Sequence, residues 1–321
     1  MESIYRDNNW YPLQEEKEQG KAVRYIYEDE NGEIIYSFIK RKAGEVNGIE
    51  YFDIVTARGV GGPYLEVLHN KYEKKKLVEN FEKDFQRYCE EENIVAELIR
   101  FDPWKRNERD FKYIYDLELY GHFYCNNLKH DFYKEEYNRR SKRSIKKANT
   151  MGVKVQIDEE GKTIDKFIEL YQYTEKKYHT SDYYNITQHF VEQYFEKLNR
   201  NVVILNANYM DTIIASVIML LGKDIAHYHL LGNNPDYMAC QANSLLTYSA
   251  ALYAQEKGKK LFDMGGGIAG GKIETFKLNF VNEENIFEYY IAKKIRMNEI
   301  YDKLIIQAGG ARENYFPAYR K

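Results

Sequence analysis

At 321 residues and 44% apolar composition the chain has material for two packed cores of about 150 residues each. A formal net charge of −3 excludes wholesale coating of nucleic acid, although local basic patches remain open to it. Cys89, Cys125 and Cys240 are odd in number, far apart and without CxxC spacing, which excludes a zinc site and reads as reduced thiols in a cytosolic protein.

The N-terminal MESIYRDNNWYPLQEEKEQG lacks the apolar core of a signal peptide. From 22 to 40, AVRYIYEDENGEIIYSFIKR predicts two strands joined by a tight turn at Asn31-Gly32. GIEYFDIVTARGVGGPYLEV adds a strand broken by Gly59, Gly61, Gly62 and Pro63. Over 71–93, Leu77, Phe81, Phe85 and Tyr88 recur at helical spacing, and the strand IVAELIRF follows.

A boundary is expected near 126–140, after which the same order returns. KVQI precedes the helix TIDKFIELYQYTEKKY and a second helix around TQHFVEQYFEKL. A hairpin over NVVILNANYMDTIIASVIMLLGKDIAHYHLLG leads to the helix QANSLLTYSAALYAQEKG and the strand KLFDMG. The run IIASVIMLL is only nine residues long, a buried strand and not a membrane span, so a soluble, cytoplasmic protein is expected. Two mixed α/β domains with a groove between them would offer a ligand site there. The 31 tyrosines suit a large, partly hydrated cleft, or reflect an AT-rich genome.

DMGGGIAGGK, residues 263–272, fits two phosphate-loop patterns and completes neither. Gly265, Gly267 and Gly270 match the dinucleotide spacing but follow the last clear αβ unit, with only 50 residues left. Gly266, Gly271 and Lys272 match most of a P-loop, yet Ile273 stands where Ser or Thr would hold magnesium. Five glycines in seven residues instead imply a backbone that something approaches closely, against the plain reading of a flexible turn.

RRSKRSIKKA (139–148) is a basic patch in an acidic chain: Arg139, Arg140, Lys142, Arg143, Lys146 and Lys147, with no acid between Glu136 and Asp158. It suits a phosphate-bearing ligand such as a tRNA end, a diphosphate or coenzyme A, or is a solvated helix face. Asp102 in LIRFDPW ends a strand before Pro103, where it could orient or deprotonate an amine, or close an Asx turn. His227 and His229 sit two apart on a strand without a third ligand, so no metal site is expected. No Ser-His-Asp or Cys-His arrangement is visible.

Several of these stretches together resemble the FemABX family of aminoacyl transferases, a branch of the GNAT-like acyltransferases, in a short form without the coiled-coil arm. They are GVGGPYLEV (59–67), RFDP (100–103), RRSKRSIKKANTMGVKV (139–155), AHYHLLGNN (226–234), ANSLLTYSAALYAQEKG (242–258), FDMGG (262–266) and ETFKLNF (274–280). They stand in the family's order and span nearly the whole chain. The resemblance implies an α/β (α+β) fold of two tandem GNAT-like domains, 1–128 and 129–283. A C-terminal helix at about 284–307, within 284–321, would pack back on the first.

It further implies transfer of an amino acid from aminoacyl-tRNA, or of a related acyl group, to an amine of a cell-wall or surface-glycan precursor. No metal or cofactor is implied. The partners would be the aminoacyl-tRNA acceptor end, a phosphate-bearing precursor and, for a lipid-linked acceptor, the inner membrane surface. Lys277 of the Phe276-Lys277 pair would be the catalytic cation, because acyl transfer builds negative charge on the carbonyl and leaving oxygens. Asp102 would stand near the acceptor amine, Lys17 at its phosphates (with Lys21 competing) and Tyr228 along the groove. Tyr64, Asn243, Gly265 and Gly266, in the matched stretches, join Arg139, Arg140, Arg143, Lys146 and Lys147 as expected substrate contacts.

The chain departs from the family with Tyr183 where members gripping the nucleotide-linked precursor have arginine, and with Leu230 in place of a groove tyrosine. A guanidinium grips a diphosphate as a phenol cannot, so the resemblance leaves the acceptor open. Alternatives are an N-acetyltransferase using acetyl-CoA and a non-catalytic glycan- or tRNA-binding module. The acetyl-CoA loop pattern is missing, RGVGG (58–62) being a poor fit, and retention of Asp102 and Lys277 argues against the binding module.

Overall fold

Alternating apolar residues build the first sheet. The computed structural model describes residues 1–178, 186–267, 270–312 and 315–320. Two short helices, α1 (Trp10–Leu13) and α2 (Glu15–Glu18), lead into the antiparallel pair β1 (Gly20–Asp29) and β2 (Gly32–Val46). The hairpin closes one residue earlier than the Asn-Gly signal implies, with Asp29 opposite Gly32 and the Asp29 carboxylate taking the Asn31 N–H at 2.7 Å. Gly32 has a separate reason to be glycine: a Cβ there would fall 2.1 Å from the carbonyl oxygen of Val67.

β2 also pairs with β3 (Ile49–Val55) and β4 (Gly62–Leu68). In α3 (Lys74–Glu91) the side chains of Leu77, Phe81, Phe85 and Cys89, one per turn, are buried against Ile34, Tyr36, Phe38 and Ile99 of the sheet. β5 (Ile94–Arg100) then runs parallel to β3, completing a strand–helix–strand crossover. After the short α4 (Glu108–Phe111), β6 (Leu117–Asn127) carries the chain onward.

The second half opens with α5 (Phe132–Glu135), α6 (Arg139–Thr150), β7 (Lys154–Asp158), α7 (Ile164–Tyr178) and α8 (Gln188–Leu198). An antiparallel meander of β8 (Val202–Tyr209), β9 (Thr212–Leu221) and β10 (Ile225–Asn233) follows. Helix α9 (Ala242–Glu256) crosses to β11 (Leu261–Gly267), parallel to β10, and α10 (Lys272–Lys277) follows the glycine turn. The meander, helix and parallel strand therefore occur twice, as the order of sequence elements predicts. α9 buries small residues such as Ala242, Ser244, Ala250, Ala251 and Ala254, which let its backbone approach the sheet closely.

The segment expected as one C-terminal helix over 284–307 is instead β12 (Ile286–Ile295) and α11 (Asn298–Gln307). IFEYYIAKKI is rich in β-branched and aromatic residues, and it pairs antiparallel with β5 from Ile291↔Arg100 to Ile295↔Ala96. α11 adds Tyr301 and Leu304 to a small core with Val46, Tyr51 and Val95.

Two units result, Asn8–Tyr120 with Glu288–Lys321 and Met1–Asp7 with Gly121–Phe287. They divide inside strands β6 and β12, whereas the sequence reading divides 1–128 from 129–283. Strand order is β1-β2-β3-β5-β12 in the one and β6-β11-β10-β9-β8-β7 in the other.

Candidate active site

β10 and β11 pair in parallel only at Ile225↔Leu261, Ala226↔Phe262 and His227↔Asp263. Beyond that point β10 is irregular between Tyr228 and Leu230, and β11 between Asp263 and Gly266. Where two parallel strands stop pairing, backbone groups are released for other partners.

Lys277, the last residue of α10, reaches back to this place. Its Nζ donates to the Gly266 carbonyl at 2.6 Å and lies 6.0 Å from the centre of the Tyr124 ring. The side chain keeps some solvent access, yet protein packed around the amine pushes its pKa down to about 8, with Asp263 and Cys125 pulling the other way. Gly265 adopts φ +79°, and a Cβ there would stand 3.4 Å from Nζ.

Two amides of the glycine turn, those of Gly265 and Gly270, are already occupied. Gly265 N–H goes to Asp263 Oδ1 at 2.7 Å, and Gly270 N–H goes to Glu274 Oε2, whose other oxygen accepts the Tyr124 hydroxyl. A phosphate loop needs such amides pointing at its anion, so this turn instead offers Lys277 a carbonyl.

Beside α10 lies a cavity of about 280 Å³. Arg140 and Ser144 of α6, Ser244 of α9 and Lys272 of α10 supply cations and hydroxyls, while Phe276 and Phe280 supply an aromatic wall. The two rings are 4.9 Å apart. α6 is capped by Asn138, whose side chain takes the Arg140 and Ser141 N–H groups, and its Ser141, Ile145 and Ala148 are buried. The remaining face carries Arg139, Arg140, Arg143, Lys146 and Lys147, all exposed. Among the described residues none of these five makes an ion pair. Lys142 is different: it donates to the Lys134 carbonyl at 3.0 Å and covers the Tyr133 ring.

The other expected residues have definite places. Asp102 is fully buried; Oδ1 takes the Trp104 and Lys105 N–H groups at 2.9 and 3.0 Å, and Oδ2 takes the Tyr64 hydroxyl at 3.0 Å. That is the Asx-turn geometry, with Tyr64 as its support. Lys17 is half-buried in α2, and Lys21 is on the surface paired with Glu15. These four belong to the first unit, while Lys277, Phe276, Tyr228, Asn243, Gly265, Gly266 and the basic face belong to the second.

Tyr228 packs edge-on to Phe262 at 5.9 Å, and burial pushes its phenol pKa up. Asn243 sits in the first turn of α9, and its carbonyl accepts the Thr247 hydroxyl. Leu230 is buried, and Tyr183 lies outside the described residues. His227 bonds to Asp263, and His229 to the Tyr194 hydroxyl, so the two imidazoles have separate partners. Among the described residues no three His, Cys, Asp or Glu side chains are grouped to hold a metal ion.

Sequence reasoning passed over Lys272 once the P-loop failed, and weighed His227 only as a metal ligand. It also missed a buried chain running from Ser3 Oγ to His227 Nε2 (3.0 Å) and from His227 Nδ1 to Asp263 Oδ2 (2.9 Å). Only the FDMGG stretch around Asp263 signalled it.

Residues 136–277 match the acetyltransferase (GNAT) domain family. The chain has a GNAT-like fold. The structure of FemX superposes with a TM-score of 0.67 at 11% identity, covering 94% of each chain. The C-terminal domain of a putative lysylphosphatidylglycerol synthetase from Agrobacterium fabrum gives a TM-score of 0.59 at 11% identity, over 96% of this chain and 92% of that one. A tandem GNAT protein from the clavulanic acid biosynthesis pathway gives 0.51 at 8% identity, over 91% and 97%. No curated protein matches the sequence. The GNAT match covers α6 through α10 and so contains the cavity's cations Arg140 and Lys272, and Lys277 itself. No helix among the described residues is long and apolar enough to cross a membrane.

Proposed function

We propose that this GNAT-fold protein transfers an amino acid from aminoacyl-tRNA, or a related acyl group, to an amine of a peptidoglycan or surface-glycan precursor. The observation that carries this reading is α10, which lends Lys272 and Phe276 to the cavity and holds the Lys277 ammonium at the glycine turn. Cations and hydroxyls in the cavity suit the phosphates of an acyl carrier, and the aromatic wall suits a nucleobase. The exposed basic face of α6 continues from Arg140 and suits the carrier's further phosphates.

In the transfer, the acceptor nitrogen bonds to the ester carbonyl carbon, and the C–O bond to the carrier's 3′-oxygen then breaks. The proton lost by the amine ends on that oxygen. Negative charge forms on the carbonyl oxygen and then on the leaving oxygen, and a fixed ammonium from Lys277 favours both. One preorganised donor of this kind contributes about 3–4 kcal/mol. Asp102, buried with both oxygens engaged in its own turn, is not free to take that proton.

The lysylphosphatidylglycerol synthetase neighbour, by its name, joins lysyl to a phosphate-bearing lipid, which supports an acceptor at a membrane surface. The description of the matched family favours acetyl-CoA as a second reading. Against it, the residues before α9 are a 3₁₀ turn over Pro235–Cys240 and Gln241 at φ 57°, without the glycines that let amides cradle a pyrophosphate.

The test offers native and Lys277→Met protein an aminoacyl-minihelix labelled on its amino acid, with UDP-MurNAc-pentapeptide or its lipid-linked form as acceptor, and labelled acetyl-CoA in a parallel arm. Label moving from the minihelix only with native protein is expected. Transfer from acetyl-CoA alone, or full transfer by Lys277→Met, would contradict the reading.

A further inference from the structure

Beneath the glycine turn lies a chain of buried polar groups that the transfer itself does not use. Ser3, His227 and Asp263 are 5%, 1% and 1% exposed. Both bonds are satisfied when the Ser3 hydroxyl donates to His227 Nε2 and His227 Nδ1–H donates to Asp263 Oδ2. Ser3 Oγ also accepts the Tyr5 N–H, and the Tyr5 ring lies 4.6 Å from the imidazole. The start of the chain is pinned beside them, since Glu2 and Asp224 exchange two hydrogen bonds and a Cβ on Gly222 would meet Ile4 N at 2.5 Å.

The other carboxylate oxygen of Asp263 takes the Gly265 N–H at 2.7 Å and faces Cys125 Sγ at 3.9 Å. The next carbonyl, that of Gly266, accepts Lys277.

We propose that Ser3, His227 and Asp263 form a positioning relay that fixes the glycine turn and the ammonium of Lys277. The inference rests on the reading of Lys277 as the transfer cation. A Ser–His–Asp order invites comparison with a nucleophilic triad, but here the serine is a buried cap and the carboxylate faces the working lysine. A carboxylate at Asp263, held in place by these donors, offsets part of the cost of packing protein around Lys277. The groups facing Lys277 are Asp263, Cys125 and Tyr124, with Glu274 bonded to Tyr124 and His122 acting on Glu274. Those facing His227 are Ser3, Tyr5 and Asp263, with Asp224 held by Lys260 at the neighbouring turn.

The test follows acetic anhydride labelling of Lys277 against pH by peptide mass, which reads the neutral amine without any transfer assay, alongside kcat and KM. Asp263→Asn is expected to lower the labelling midpoint by about one pH unit, the low end for losing a nearby opposite charge. His227→Phe should move it the same way and lower kcat about tenfold at unchanged KM, as expected when geometry at the reacting centre loosens. His227→Asn, which can still donate to Asp263, should restore part of both. Ser3→Ala, a change too small to prevent folding, should show a smaller shift in the same direction.

Labelling midpoints at the native value in folded Asp263→Asn and Ser3→Ala protein would overturn the relay. Should the midpoints move while Lys277→Met still transfers, the relay stands and the catalytic reading of Lys277 falls.

Discussion

His227 and Asp263 are the last residues at which β10 and β11 run paired, and their side chains join the two strands by a 2.9 Å bond between Nδ1 and Oδ2. The strands stop pairing immediately beyond, and the glycine turn and Lys277 follow on the β11 side. The parallel pairing thus ends at a buried polar contact, and the groups that could act on a ligand begin there. Such placement on the ends of rigid strands holds side chains more closely than a free loop would.

Lys277→Met is expected to lower transfer by about 10²–10³-fold in kcat, the loss typical of one oxyanion donor. Its fold should be unharmed. The folded pKa of Lys277 lies near 8, below its unfolded value, so unfolding takes up protons between the two and native stability rises with pH across that window. Below pH 8 the packed ammonium opposes folding, and Met removes that opposition. Thermal melts at pH 7 should therefore show a Tm equal to or above native.

The same shift sets the pH profile. If the cation is the working form, kcat should fall as pH rises through about 8, where Lys277 loses its proton. A kcat that climbs through pH 8 would make the neutral amine the working form.

Gly265→Ala places a methyl group 3.4 Å from Lys277 Nζ at φ +79°, a conformation that L side chains rarely adopt. A cost of about 1 kcal/mol in stability is expected from the backbone alone. The loss in kcat should be larger than the loss in stability implies, because the displaced atom is the ammonium. Denaturation midpoints and single-turnover rates on one preparation separate the two effects.

In the first unit, Arg296 is buried over the Phe85 ring and bonds to Glu97 at 2.7 Å and to Glu82 at 2.5 Å. Burial pulls the guanidinium pKa down, but Glu97, Tyr115 and Glu82 together push it up past that, while burial raises the pKa of the Glu97 carboxyl. Arg296→Met leaves Glu97 buried without its cation and should cost about 3–5 kcal/mol in urea unfolding. Adding Glu97→Gln should recover part of the loss.

Much of the fold is written in local pattern. Leu77, Phe81, Phe85 and Tyr88 declare α3 by their spacing, although Cys89 is the residue fully buried in the last turn, and the order of meander, helix and strand declares the repeat. Residues 286–295 carry strand-forming residues, but the partner that fixes β12 as a strand, β5, lies almost 200 residues earlier in the chain, out of reach of local pattern. The basic run 139–147 was legible as a patch, but only the helix shows that Ser141 and Ile145 turn inward while the charges share a face. The relay was illegible for a similar reason: Ser3 lies 224 residues from His227, and His227 lies 36 from Asp263. Asp102 was the converse case, since its local turn was readable from Pro103 alone.

Salt-dependent binding of an aminoacyl-minihelix at the cavity beside α10 is the direct test of the proposed carrier. Native protein is expected to bind the minihelix saturably, with affinity falling as salt rises by a slope of about 0.7 per phosphate contacted. Arg140→Ala with Lys272→Ala should weaken binding and flatten that slope without lowering Tm. Binding of acetyl-CoA but not the minihelix, or minihelix binding indifferent to both substitutions, would contradict it.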